Sequence, residues 1–245
     1  MKLSYSAAWD DLTALLKAHG TLIAALAGVF IFLPTLLLGY LLPRPEVSNA
    51  ADFLPALNRY YAANWYWFIA SGIVTMLGSL AILLLVFAPK GTSVGGAISR
   101  AAIFLPFYFL VSLMTGFLLG FAMLLLIVPA LYLFGRLAIL GPVMVAEDRK
   151  RPLDVIARTF EVTKGNGWRV LGFFVLVAIA GYVAAGVVNT LFGILFVLAA
   201  GKDLGGLLAM IVASATYSAL AVVFLLLYAA VYRQLAARGT AETFA

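Results

Sequence analysis

Residues Val170–Ala200 read VLGFFVLVAIAGYVAAGVVNTLFGILFVLAA, and Leu204–Tyr232 read LGGLLAMIVASATYSALAVVFLLLYAAVY. Neither stretch holds an Asp, Glu, Lys, Arg or His. A run of about 18 or more such residues is the mark of a helix in hydrocarbon. Inside a bilayer the backbone must satisfy its own hydrogen bonds, so spans are helices or closed barrels. Barrel strands alternate apolar and polar residues, and these runs do not. The reading is an all-α integral membrane protein.

Composition points the same way. The chain has 245 residues, 65% of them hydrophobic and 11% charged, with a mean hydropathy of +1.10. Soluble domains carry roughly 25% charged residues. The net charge is +6, but the basic residues cluster beside apolar runs. That placement selects lipid head groups as partners and excludes nucleic acid. With no cysteine there is neither a disulfide nor a thiolate site.

Working outward, six spans are expected: Thr21–Leu42, Asn64–Ala88, Ala102–Phe121, Met123–Ala146, Val170–Ala199 and Leu207–Tyr232. The third and fourth form one apolar stretch broken only by Arg136, which predicts a tight hairpin with Gly116 and Gly120 near its tip. Met1–Gly20 carries Asp10, Asp11 and Lys17 and lacks the layout of a cleaved signal, so the first span is expected to persist.

Lys2, Lys17, Lys90, Arg100, Arg149, Lys150, Arg151, Arg158, Lys164, Arg169, Arg233 and Arg238 fall on one side. Arg44, Arg59 and Lys202 fall on the other. The positive-inside rule makes the first side, with both termini, cytoplasmic. Pro43–Ala63, with Pro45, Glu46, Asn49, Asp52 and Pro55, reads as the largest outside loop. It leads into the aromatic belt Tyr60, Tyr61, Trp65, Tyr66 and Trp67.

An amphipathic segment precedes each hairpin: Ser4–His19, Thr92–Arg100 and Pro152–Lys164. The first places Tyr5, Trp9, Leu12 and Leu16 on one face. The third places Leu153, Ile156 and Phe160 on one face and Pro152 at its start. Such helices are expected to lie in the interface plane. The chain is therefore read as a single membrane domain. Residues 1–20 form an interfacial helix, 21–88 hairpin one and 89–101 a cytoplasmic linker. Residues 102–146 form hairpin two, 147–169 a basic cytoplasmic helix, 170–232 hairpin three and 233–245 a tail.

No metal-ligand spacing, nucleophile elbow, P-loop or dinucleotide fingerprint is present, so no cofactor or metal is implied and the chain is not read as an enzyme. Arg136 is the one charge placed inside a span, where it costs at least about 2.5 kcal/mol. It snorkels to phosphates, if Gly141-Pro142 ends its helix early, makes a structural hydrogen bond, or contacts a lipid phosphate or substrate. Arg149, Lys150, Arg151, Arg158, Lys164 and Arg169 form a basic stretch for lipid head groups.

Three small or polar stripes follow i, i+4, i+8 spacing: Ser71, Thr75, Ser79; Ser112, Gly116, Gly120; and Gly181, Ala185, Asn189. They are packing faces, within the chain or toward a second copy or another membrane protein, and Asn189 is the candidate for an interhelical hydrogen bond. Trp9, Trp65, Trp67 and Trp168 are the interface anchors.

One stretch carries a family resemblance. It runs Gly141-Pro142-Val143-Met144-Val145-Ala146-Glu147-Asp148, then Pro152-Leu153-Asp154, then Ala157-Arg158-Thr159-Phe160-Glu161-Val162. It ends Thr163-Lys164-Gly165-Asn166-Gly167-Trp168-Arg169. This resembles the YciC-like bacterial inner-membrane proteins and is similar to the membrane domain of some glycerophosphodiester phosphodiesterases. The resemblance implies about six spans and a Thr-Lys-Gly-x-x-Trp turn into the fifth. In the fused members a separate soluble barrel does the hydrolysis, and that activity is not expected here. The functional expectation is a non-enzymatic inner-membrane accessory or structural subunit, lipid-associated, within a larger complex. A transporter or channel-like protein for a small or lipidic substrate is the alternative.

Overall fold

The computed structural model describes residues 2–42, 45, 49–88 and 92–243, with side chains to residue 237. Pro43, Arg44, Glu46, Lys90 and the Arg238 side chain lie outside this set. Every regular element among the described residues is helical. The chain is an all-α membrane protein.

Ser4 opens α1 (Tyr5–Ala27), its hydroxyl accepting from the Ala7 amide. A π-helical turn, Gly28–Phe32, leads into α2 (Leu33–Leu41). Pro34 supplies no amide to the helical ladder, and one wide turn beside it absorbs the mismatch. The Thr35 hydroxyl donates to the Ile31 carbonyl at 2.7 Å. Together these elements run helically for 37 residues.

Next come α3 (Ala50–Phe87), 38 residues, and α4 (Val94–Leu125), 32 residues, the latter capped by Ser93. Then follow α5 (Ile127–Leu137), α6 (Leu140–Ala146), α7 (Pro152–Val162) and α8 (Gly167–Thr243). Five stretches are long and apolar enough to cross a membrane, α5 and α6 counting as one.

The last stretch is two helices. Gly201 alone leaves helical geometry, at φ 77° and ψ 179°, a conformation that favours glycine. Across it Phe174 meets Tyr228 with ring centroids 4.9 Å apart, and Tyr182 meets Tyr217 at 6.5 Å. Nearer the turn, a Cβ on Gly205 would lie 2.3 Å from the Phe196 carbonyl oxygen. These pairs converge on Gly201 as an antiparallel hairpin requires. Among the described residues the five stretches thus hold six apolar helical segments, the last stretch contributing two.

The structure corrects several sequence-based boundaries. The segments before the first and second hairpins are not separate interfacial helices; each is the opening of the span that follows. Ala8, Leu12 and Leu15 of α1 are buried, because the segment packs on its own chain, whereas Tyr5, Trp9 and Leu16 stay exposed. Only the third segment is a distinct helix, α7. From Ala50 the supposed outside loop is already helical, with Pro55 inside α3. The second hairpin turns at Leu126 (φ −160°, ψ 139°), beyond Gly116 and Gly120. The fourth segment breaks at Ala138-Ile139, ahead of Gly141-Pro142, which lie inside α6.

Both ends of the chain meet at one end of the bundle. The Leu3 amide donates to Asn166 Oδ1 at 3.0 Å, and the Ser4 amide to Gln234 Oε1 at 3.0 Å. The Tyr5 hydroxyl donates to the Arg169 carbonyl at 2.9 Å, its ring stacked on Phe173 at 4.6 Å. Asp11 pairs with Arg233 at 3.2 Å. The core gathers at this end too: Leu80–Leu83 and Leu226, Leu227, Ala229, Ala230 and Val231 are 0–1% exposed. The opposite end leaves its apolar side chains open, Leu198 at 80%, which hydrocarbon tolerates and water does not.

Candidate functional site

Two arrangements stand out, a polar latch at the end holding both termini and a cavity above it. The latch begins with Arg136, in the last turn of α5, where a cation complements the helix dipole. Its Nε donates to Thr163 Oγ1 at 2.7 Å, Nη1 to the Tyr132 hydroxyl at 2.9 Å and Nη2 to the Phe160 carbonyl. The Thr163 hydroxyl in turn donates a hydrogen bond to the Thr159 carbonyl at 2.7 Å. The guanidinium also lies over the Phe160 ring, 5.0 Å from its centroid.

Each partner is uncharged. Arg136 thus joins α5 to the end of α7 and the turn into α8, and every guanidinium nitrogen is occupied. Backbone proximity locks the joint: a Cβ on Gly135 would meet the Gly167 carbonyl at 2.6 Å, and one on Gly167 would meet Arg136 Cδ at 2.6 Å. In the turn itself, Gly165 takes φ +73°.

Glu147, just past α6, is the second half of the latch. Arg149 Nε donates to Oε2 at 2.7 Å, and Arg158 Nε to Oε1 at 2.9 Å. The Tyr232 hydroxyl donates to Oε1 at 3.2 Å, and Arg158 also reaches Glu161 at 3.1 Å. Burial pushes the Glu147 carboxyl up, but the hydrogen bonds and charges of Arg158 and Arg149 outweigh it and hold the group below its usual range. The hydrogen bond to Glu147 chiefly raises Arg158.

The basic stretch is therefore divided. Arg149 and Arg158 are committed to Glu147, and Lys150 sits over Phe104 at 5.5 Å. Arg151 and Lys164 are exposed and Arg169 is half-buried. Arg169 shares a groove of about 630 Å³ with Val128, Pro129, Tyr132, Gly165, Gly167 and Trp168.

The cavity, about 510 Å³, lies between α3, α4, α5, α6 and the second half of α8. Thr75 and Ser79 reach it from α3, and Tyr108, Ser112, Thr115 and Gly116 from α4; Tyr228 faces them from α8. Apolar residues, Leu83, Phe134, Leu137 and Phe224 among them, complete the wall, and no Asp, Glu, Lys, Arg or His lines it.

Two of the small-residue stripes thus converge on a space. Ser71 is half-buried and outside the lining, and Gly120 faces open surroundings. The third stripe packs: a Cβ on Gly181 would meet Leu220 at 2.4 Å, and Ala185 is 3% exposed. Asn189 Oδ1 is buried without a hydrogen-bond partner, so the expected interhelical bond to that atom is not made. Trp9, Trp65, Trp67 and Trp168 are all exposed, between 43% and 60%.

Sequence reading missed Tyr108, Thr115 and Tyr228. The first two flank Ser112 at helical spacing, a polar face legible in hindsight; Tyr228 had no such signal. Glu147, which sequence analysis placed only in the resemblance stretch, is the shared partner of Arg149 and Arg158. Among the described residues no group of three or more His, Asp or Glu is placed to hold a metal. No family model, curated protein or solved structure matches this chain.

Proposed function

We propose that this chain is a non-enzymatic accessory protein of a bacterial inner membrane, with both termini cytoplasmic, that holds a lipid-like molecule inside the bundle. The observation carrying this reading is the 510 Å³ cavity, uncharged and edged by hydroxyls, among helices long enough to cross a bilayer. Its volume falls in the range of about 300–1,000 Å³ typical of ligand sites, and its mix of apolar wall and few polar groups is what such sites use. An occupant with an uncharged hydrogen-bonding group, such as a hydroxyl or ester, suits Thr75, Ser79, Ser112, Tyr108 and Tyr228. The bias of basic residues supports the orientation, and the resemblance of residues 141–169 to YciC-like proteins supports the membrane. Transport through Arg136 has less support, because its nitrogens are engaged and it does not line the cavity.

Native mass spectrometry of the protein extracted with its surrounding lipid tests the reading. One lipid class should be retained at a fixed ratio per chain. Gly116→Leu should abolish retention while the fold persists, because that position faces empty space. Gly120→Leu, in equally open surroundings but outside the lining, should not. Unchanged retention in Gly116→Leu would refute the cavity reading. A stoichiometric protein partner lost in Gly120→Leu would replace it with a packing role.

A further inference from the structure

We propose that the α4–α5 hairpin enters and leaves the bilayer on one face, inserting its apolar tip into the leaflet at the end that holds both termini. Helix rise sets the depth. Gly135 abuts Gly167, and only nine residues separate Gly135 from the turn at Leu126. At 1.5 Å per residue the turn lies within about 20 Å of Gly167. From the same glycine the first half of α8 runs to Gly201, about 50 Å away along the helix. The second hairpin thus stops about 30 Å short of the third, a distance equal to a whole hydrocarbon core. The groove of Val128, Pro129, Trp168 and Arg169 confirms that its tip neighbours the latch.

The chemistry of the tip fits acyl chains. From Phe117 to Leu131 the chain has no charged residue and no side chain that hydrogen-bonds strongly. Phe121, Leu124, Leu125 and Leu126 are 63–86% exposed. A turn that reached the far side would meet head groups and water, a setting that suits Lys202 and Asp203 beside Gly201.

The backbone is also adapted to hydrocarbon. Leu126 is the single non-helical residue, its amide donates to the Ala122 carbonyl at 3.0 Å, and Pro129 removes one amide from the uncapped first turn of α5. Around the base, Trp168, Arg169 and Lys164 sit where anionic head groups would lie.

The chain has no cysteine, so single and paired cysteines can be placed freely. With Leu126→Cys and Lys164→Cys carrying nitroxides in proteoliposomes, the expected separation is below about 30 Å, side-chain tethers included. Lys202→Cys with Lys164→Cys should give roughly 50 Å. Leu126→Cys alone should resist membrane-impermeant maleimide from both faces, whereas Lys202→Cys should react from the far face. Equal long distances for both pairs, or labelling of Leu126→Cys from the face that labels Lys202→Cys, would overturn the proposal. Neither readout depends on a ligand, so the result stands apart from the cavity reading.

Discussion

The second and third hairpins are built from equally apolar sequence and reverse by opposite means. The third turns on Gly201 in a left-handed conformation, with Lys202 and Asp203 following, and its arms pair through Tyr182–Tyr217 and Phe174–Tyr228. The second turns on Leu126 in extended backbone, with no charged residue from Phe117 to Leu131. Its far end is tied down by Arg136, Gly135 and the turn into α8. Hydropathy cannot distinguish them, because it reports the solvent and not the depth. Depth is set by where each hairpin is anchored.

The sharpest way to break this contrast is to charge the second turn. Leu126→Lys should cost about 2.5–3.5 kcal/mol or block insertion, because the ammonium would sit in hydrocarbon. Leu204→Lys, beside the charged turn of the third hairpin, should cost well under about 1 kcal/mol. Thermal unfolding in lipid nanodiscs measures both, and equal small losses would mean that Leu126 reaches a head-group region.

A slightly smaller effect is expected at the anchor. Leu at Gly135 would drive its side chain into the Gly167 backbone, and overpacking of that kind costs about 1–3 kcal/mol. Gly193→Leu on the third hairpin meets nothing within 4 Å and should be neutral. If Gly135→Leu is also neutral, the close approach of α5 to α8 is wrong, and with it the depth of the second hairpin.

Arg136→Ala should follow, losing about 1.5–3 kcal/mol through its hydrogen bonds, with Arg136→Lys restoring little because an ammonium cannot reach three divergent acceptors. Retained-lipid mass spectrometry on the same variant separates the two roles. Weakened stability with lipid kept supports a latch, whereas lipid lost from a fully stable protein would move the site to Arg136.

The solvent, the helical class and the approximate number of apolar segments were readable from residues 170–232 alone, because charge-free runs dictate them. The seats of individual residues were not. Arg136 looked like a charge inside a span because sequence cannot show that α5 ends one residue later and that Phe160 and Thr163 fold back to meet it. Ser112 and Gly116 looked like a packing stripe because i, i+4 spacing is shared by helices that touch and helices that line a gap. Only the tertiary arrangement of α3, α4, α5, α6 and α8 around the cavity decides between them. The Pro43–Ala63 region illustrates the opposite error: prolines and polar residues suggested a loop, but Pro55 is tolerated inside the long helix α3.

The smallest effect concerns acid. Although burial raises it, Arg158 and Arg149 hold Glu147 ionised in the folded protein, with its carboxyl below the usual range. A group whose folded value is depressed binds its proton more readily when unfolded, so it contributes stability above the ordinary carboxylate range. That contribution should fade as pH falls through the range and vanish below the folded value. Arg149 and Arg158 are 38% and 32% exposed, so solvent screening keeps the total to about 1 kcal/mol. Glu147→Gln should therefore lower stability modestly at neutral pH and flatten its acid dependence, leaving the mutant and the parent equal at the acidic end. Parallel pH profiles for Glu147→Gln and the parent would remove Glu147 from the latch and leave Arg136 and the Gly135–Gly167 contact to seat the second hairpin by themselves.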